Sequence, residues 1–153
     1  MDLPIVASWT HLLATVLLVG YFAVMAVIVL PSLARLPAID GIEIVATVQR
    51  RAMPVLVLSL VTFLATGIFL LTSDPRYAGP GKVAGEWATL MLVKHLVVVA
   101  MLGAGSYADG LVVREAAGGR GPSTVSARTT WMFRAVAALG ALVLLLTAIA
   151  QRP

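Results

Sequence analysis

The longest uncharged stretch of the chain, residues 3–34, contains no Asp, Glu, Lys or Arg. A helix needs about 20 apolar residues to cross the roughly 30 Å hydrocarbon core of a bilayer, so this stretch is long enough to span a membrane. It differs from a secretory signal peptide, which starts with basic residues and has a shorter apolar core. Here the second residue is Asp2, and we expect the stretch to stay in the mature protein as a transmembrane helix.

Three more apolar stretches follow at residues 52–73, 87–108 and 135–151, of which only 87–108 holds ionisable side chains, Lys94 and His95. A segment inside lipid must satisfy its own backbone hydrogen bonds, which favours helices here. The chain is 60% apolar and only 12% charged, and its mean hydropathy is +1.00. So much apolar surface cannot be buried inside 153 residues, which excludes an ordinary soluble enzyme, a disordered chain and a nucleic-acid-binding protein.

The sequence therefore predicts an all-α fold, a transmembrane antiparallel four-helix bundle, as a single integral membrane domain over residues 1–153. We expect helices at about 5–34, 41–73, 86–108 and 130–151. The second is expected to start near Gly41, because Asp40 and Glu43 are spaced like a helix N-cap, and to bend at Pro54. Residues 109–129 contain four glycines and Pro122 and predict a flexible hydrophilic loop.

The basic residues predict the orientation in the membrane. Seven lie in or beside the first and third connections, and three lie at the other end of the bundle: Arg35, Arg50, Arg51, Arg114, Arg120, Arg128 and Arg134 against Arg76, Lys82 and Arg152. Cytoplasmic loops carry the excess of Lys and Arg. We therefore expect a multi-pass protein of the cell inner (plasma) membrane with both termini outside. The expected partners are the lipid bilayer, other membrane subunits or a second copy of the chain, and no nucleic acid.

Three ionisable residues lie well inside the predicted spans: His11, Lys94 and His95. Such residues are costly in a membrane and mark candidate functional sites. With about 1.5 Å of rise per helical residue, His11 lies about 9 Å and His95 about 12 Å from the outer ends of their spans. Two imidazoles at one level could bind a metal or both axial positions of haem iron, or they could simply hydrogen-bond within the bundle.

Other residues could complete such a site. Met91 lies one turn before His95 on the same helix face, and thioether with imidazole suits Cu(I), although Met91 could equally be apolar filler. Lys94 could snorkel outward or provide the counter-charge to a haem propionate or an acidic substrate. Three residues of the second span could hydrogen-bond to His11 or allow close helix contact: Thr62, Thr66 and Gly67. The chain has no cysteine, which excludes thiolate metal sites.

Short motifs resemble copper-resistance-D-type integral membrane proteins over nearly the whole chain. They are Trp-Thr-His-Leu-Leu at 9–13, Leu-Pro at 30–31, Arg-Arg at 50–51, Leu-Ala-Thr-Gly-Ile at 64–68 and Leu-Val-Lys-His-Leu at 92–96. The resemblance implies copper binding or copper transfer across the inner membrane. A weaker similarity links the first histidine, the paired arginines and the lysine to haem-binding membrane protoporphyrinogen oxidases. That family usually has a histidine late in its third helix, where this chain reads Gly-Ser-Tyr at 105–107.

The leading hypothesis is a copper-resistance-D-like protein that binds copper or haem iron between the first and third helices near the outer face. Its expected metal ligands are His11, His95 and Met91, and Lys94 is expected to take part in cofactor binding. The alternatives are a bis-histidine haem b electron-transfer subunit of a larger complex, a protoporphyrinogen oxidase-like haem protein and a structural accessory subunit. No catalytic residue is assigned, and the pattern favours a binding protein over an enzyme.

Overall fold

Four long helices make up the part of the chain that a computed structural model describes, residues 2–34, 41–77, 79, 82, 85–118 and 125–150. They are α1 (Leu3–Leu33), α2 (Gly41–Ser73), α3 (Glu86–Ala117) and α4 (Ala127–Ala150). Each is long and apolar enough to cross a membrane. The prediction of an all-α transmembrane four-helix bundle is confirmed.

The first helix is interrupted by a π-helical turn at Met25–Val29, which the sequence analysis did not predict. Proline has no N–H, and its ring clashes with the carbonyl group four residues earlier. Pro31 lies two residues after this turn. In the wider π geometry the Leu30 N–H bonds to the Met25 carbonyl oxygen. Met25 and Ala26 are buried at this point, so the widened turn faces the bundle interior.

The second helix begins at Gly41, as predicted, and continues through Pro54 to Ser73. The predicted capping residue Asp40 lies outside the described residues. Proline has no N–H, so the Arg50 carbonyl group lacks its usual helical hydrogen bond. Pro54 is exposed, so this carbonyl group faces away from the packed side of α2.

The third helix is nine residues longer than predicted, since it ends at Ala117 rather than at 108. The glycines and Pro122 of residues 109–129 predict a loop that would include residues 109–117. In the structure Leu111 and Val112 are buried, so an apolar face continues past the predicted end. The loop prediction was wrong for these residues, because the burial of one face outweighed the low helix propensity of a single glycine.

The fourth helix begins at Ala127, three residues before the predicted start. Ser126 caps it, because its Oγ accepts a hydrogen bond from the Thr129 N–H at 3.1 Å. The Ser126 and Thr129 hydroxyls each donate to Glu115 Oε1 at 2.6 Å. Glu115 thereby fastens the last turn of α3 to the first turn of α4.

The helices pack as two close pairs, α1 with α2 and α3 with α4, which are joined where α1 lies against α4. Two glycines allow α4 and α3 to come close to side chains of α1. A Cβ on Gly140 of α4 would lie 2.8 Å from Val19 Cγ1, and a Cβ on Gly105 of α3 would lie 2.8 Å from Phe22 Cζ. Phe22 also packs against the fully buried Phe133 of α4, with 5.8 Å between ring centroids. The core lies along the inward faces of all four helices, and α2 contributes Val45 and Phe63 to it.

The connection from α2 to α3 carries an ion pair outside the membrane-spanning segments. Arg76 Nε and Nη2 donate to the two carboxylate oxygens of Asp74 at 3.0 and 2.9 Å, and the guanidinium lies 4.9 Å from the Trp87 ring centroid. These hydrogen bonds lower the pKa of Asp74 below its ordinary value. The contact favours the folded connection above the unfolded pKa of Asp74, and its contribution is lost as the pH falls through the lowered pKa.

We expect Arg76→Gln to raise the pKa of Asp74 toward the ordinary value of about 3.9, because the charged hydrogen bonds to the carboxylate are removed. A pH titration of the Asp74 carboxyl carbon by NMR, in the whole protein in detergent, measures this. An Asp74 pKa that is the same in both proteins would contradict the role given to Arg76.

Candidate functional site

His11 is held against α2 by its Nδ1 atom. Nδ1 lies 3.1 Å from the carbonyl oxygen of Phe63 and 2.9 Å from Thr66 Oγ1. The imidazole also stacks on the Phe63 ring, with 4.6 Å between centroids and 20° between planes. The prediction that Thr66 could hydrogen-bond to His11 is confirmed, and these three contacts fix the orientation of the ring.

The two partners of Nδ1 indicate which nitrogen carries the proton. A carbonyl oxygen only accepts, so the contact with Phe63 requires Nδ1–H to donate. The Thr66 hydroxyl donates to the Thr62 carbonyl oxygen at 2.6 Å, which leaves Thr66 Oγ1 free to accept from Nδ1–H as well. A neutral His11 then has its lone pair on Nε2.

The Nε2 atom of His11 has no hydrogen-bond partner among the residues that the structure describes. In the same part of the chain, every fully buried side-chain nitrogen or oxygen has a partner. Nε2 therefore lies at an accessible surface rather than inside sealed packing. Histidines that bind metals typically donate their other ring N–H to a carbonyl group, which fixes the tautomer and the ring orientation, and His11 has this arrangement.

Gly67 makes room for the imidazole. A Cβ at this position would lie 3.2 Å from His11 Cε1, which is closer than ordinary van der Waals contact. The predicted role of Gly67 in close helix contact is confirmed, since a larger residue would press on the ring that Thr66 and Phe63 orient.

Lys94 is the residue whose charge acts on His11. Both residues are eight positions after the start of their helices, about 12 Å along at about 1.5 Å per residue. Lys94 is half-buried, and its ammonium group interacts electrostatically with His11. The two residues thus lie equally far along α1 and α3.

His95 lies elsewhere on α3. Its side chain is exposed, and its Nδ1 bonds to the Met91 carbonyl oxygen of the same helix at 2.6 Å. Lys94 and His95 are adjacent in sequence and therefore lie about 100° apart around the helix. The charge of Lys94 acts on His11, and the hydrogen bond of His95 is to its own helix. The roles of His95 and Met91 as ligands stay predictions.

No group of three or more His, Cys, Asp or Glu side chains is positioned to hold a metal within the described ranges. A site at His11 would therefore use at most two such side chains among the described residues. Haem iron is held by a single protein nitrogen in several protein classes, so one oriented imidazole is sufficient for that group.

A second polar cluster lies nearer the other end of the bundle and was missed by the sequence analysis. The Tyr21 hydroxyl donates to Asp109 Oδ1 at 3.4 Å, and Gln49 Nε2 donates to the Asp109 backbone oxygen at 3.1 Å. Gln49 is buried. The sequence offers one indication of this cluster, since the polar Gln49 interrupts the apolar spacing of α2. Asp109 gives no such indication, because it falls in the stretch that was predicted to be a loop.

No protein-family model, no curated protein and no solved structure matches this chain. The resemblance to copper-resistance-D-type proteins accordingly stays a prediction that rests on short motifs.

Proposed function

We propose that this chain is an integral membrane metal-binding protein, similar to the copper-resistance-D type, in which His11 Nε2 is the ligand of a metal centre. The observation that supports this most strongly is the division of roles on one imidazole. Nδ1 is tied to the Phe63 carbonyl and Thr66, while Nε2 is accessible and without a partner among the described residues. The site lies about 12 Å along α1, between α1, α2 and α3.

The charge beside His11 favours haem over copper as the occupant. The Lys94 ammonium interacts electrostatically with His11, so a bare Cu(I) ion would meet a like charge. A haem carries propionate carboxylates, for which an ammonium group is a natural counter-charge. When bound, a haem would supply one-electron redox chemistry at its iron. In this proposal His11 binds and orients the metal, and Lys94 positions the carboxylate.

Copper handling remains the second candidate, supported by a different observation. His95 and Met91 lie one turn apart on α3, and the bond from His95 Nδ1 to the Met91 carbonyl oxygen fixes the ring. Imidazole and thioether are both ligands of Cu(I). Because His95 is exposed, a copper site there would be completed by a partner subunit or a second copy of the chain.

The cellular setting follows from charge and apolar surface. We propose the plasma membrane, with both termini outside, because the arginines concentrate at the opposite end. Exposed leucines, valines and isoleucines on all four helices suit lipid or other membrane subunits. The orientation is tested by fusing to the C-terminus a reporter that is active only in the cytoplasm. Reporter activity in this fusion would contradict the orientation.

Elemental analysis and a visible absorption spectrum of the purified protein test the function. Iron near one atom per chain with a Soret band is the expected result. Copper without a Soret band would select the second candidate. Neither metal, after expression with haem precursor and copper both supplied, would contradict the proposal and favour a structural accessory role.

Thr66 should act as a positioning residue for the metal ligand. We expect Thr66→Val to weaken metal affinity by about 10–100-fold, the usual effect of removing a hydrogen-bond partner of a metal-bound histidine. Thr72→Val is the matched control on the same helix, since the Thr72 hydroxyl bonds to the Ile68 and Phe69 carbonyls of its own helix. Metal titration of both variants measures the difference, and equal affinities would contradict this role.

A further inference from the structure

Two arginines and two aromatic residues form an exposed strip at the end of the bundle where α3 is connected to α4. Arg128, Trp131 and Arg134 follow one another at three-residue spacing along the start of α4, which places them on neighbouring positions of one helix side. All three are exposed, and Trp131 is 67% exposed. Tyr107 of α3 completes the strip, and we call these four residues the Arg128 strip.

The structure holds one guanidinium of the strip in place. Arg128 Nη2 donates a hydrogen bond to the Tyr107 hydroxyl, and the guanidinium carbon lies 5.4 Å from the Tyr107 ring centroid. A guanidinium that is fixed by an aromatic neighbour loses less side-chain entropy when it binds an anion. Arg128 is therefore preorganised, whereas a free surface arginine is not.

Among the residues that the structure describes, no carboxylate forms a salt bridge with the arginines of the strip. The one salt bridge among the described residues joins Arg76 to Asp74. It lies at the opposite end of the bundle from the strip. The Glu115 carboxylate is close in sequence to the start of α4 but accepts hydrogen bonds from Ser126 and Thr129 instead. Arg128 and Arg134 are thus left for an anion from outside.

The position of the strip along α4 matches a lipid headgroup layer. Arg134 lies about 9 Å deeper than Arg128, at about 1.5 Å per residue, and a long arginine side chain can extend from that depth to the interface. Tryptophan and tyrosine are enriched at the same level of membrane proteins. The strip therefore presents two guanidinium groups and two aromatic rings where phosphate groups and acyl chains meet.

We infer that the Arg128 strip is a binding site for an anionic phospholipid. Arg128 and Arg134 contact the phosphate, and Trp131 packs against the adjoining glycerol and acyl region. Charge complementarity selects an anionic lipid over a zwitterionic one, because the cationic headgroup of the latter would offset the attraction to the arginines. The site is separate from the His11 region and does not depend on a bound metal.

The test is a titration of the purified whole protein, in mixed micelles, with phosphatidylglycerol or phosphatidylcholine, with bound lipids counted by native mass spectrometry. We expect one site that prefers phosphatidylglycerol. The double variant Arg128→Gln and Arg134→Gln should bind it about 25-fold more weakly, at about fivefold for each arginine near the surface. The double variant Arg50→Gln and Arg51→Gln removes the same charge from exposed positions on α2 and should keep the site.

Three results would overturn the inference: equal losses in the two double variants, equal binding of the two lipids, or displacement of the lipid by inorganic phosphate. Equal losses in the two double variants would show that only the total charge of the protein matters. Displacement by inorganic phosphate would indicate a site for free anions. Tyr107→Phe keeps the ring and removes the hydroxyl that holds Arg128. We expect it to fold normally and to weaken phosphatidylglycerol binding, so the inference stays testable even if the double variant is unstable.

Discussion

Replacing His11 by alanine is expected to remove the bound metal completely, whereas replacing His95 by alanine should leave it in place. Nδ1 of His11 is tied to α2, and its Nε2 has no hydrogen-bond partner among the described residues, so in this account Nε2 is the metal ligand. His95 is exposed and bonds to its own helix. Metal content and the visible spectrum of the two variants, purified in parallel, measure the difference.

Two controls separate ligand loss from misfolding. The thermal unfolding midpoint shows whether His11→Ala still folds, and added imidazole should restore metal binding because it fills the space of the deleted ring. Equal loss of metal in His11→Ala and His95→Ala would contradict a single-histidine site. It would instead support the bis-histidine arrangement, in which both imidazoles bind the metal.

The second large effect concerns the contact between α1 and α4. We expect Gly140→Leu to destabilise the bundle by about 3 kcal/mol, the upper part of the range for overpacking a core. The Cβ alone would lie 2.8 Å from Val19 Cγ1, and the rest of the leucine would force the helices apart. Helix propensity acts in the opposite direction, by about 1 kcal/mol per replaced glycine.

Gly103→Leu is the matched control. Gly103 is exposed on α3, and a Cβ there would meet nothing within 4 Å, so only the gain in helix propensity remains. Reversible unfolding in a mixed detergent measures the free energy of unfolding of both variants. We expect opposite signs. A Gly140→Leu protein as stable as Gly103→Leu would show that α1 and α4 do not approach as closely as described.

The fold could be predicted because lipid imposes strong conditions on sequence. Long uncharged stretches specify helices, and the start of α2 at Gly41 followed from local residue types. The end of α3 could not be predicted, since Asp109 resembles a loop residue until its contacts with Tyr21 and Gln49 are known. Long-range partners of this kind leave no mark in the spacing of the residues that they join.

The candidate site was predicted in part for a similar reason. Depth along a helix can be estimated from residue number, and the similar depths predicted for His11 and His95 follow from it. The direction in which a side chain points around the helix axis is harder to estimate. The stretch around His95 is apolar on every side, so it does not indicate which helix face points inward. The structure supplies that direction: Lys94 interacts with His11, while His95 is exposed.

The claim that His11 binds a metal through Nε2 is tested most directly by nitrogen hyperfine spectroscopy on the metal-loaded protein. Histidine labelled with ¹⁵N separately at Nδ1 and at Nε2 distinguishes the two atoms. The account predicts strong coupling from one Nε2 that disappears in His11→Ala and persists in His95→Ala. Coupling from Nδ1, or coupling that survives in His11→Ala, would contradict it.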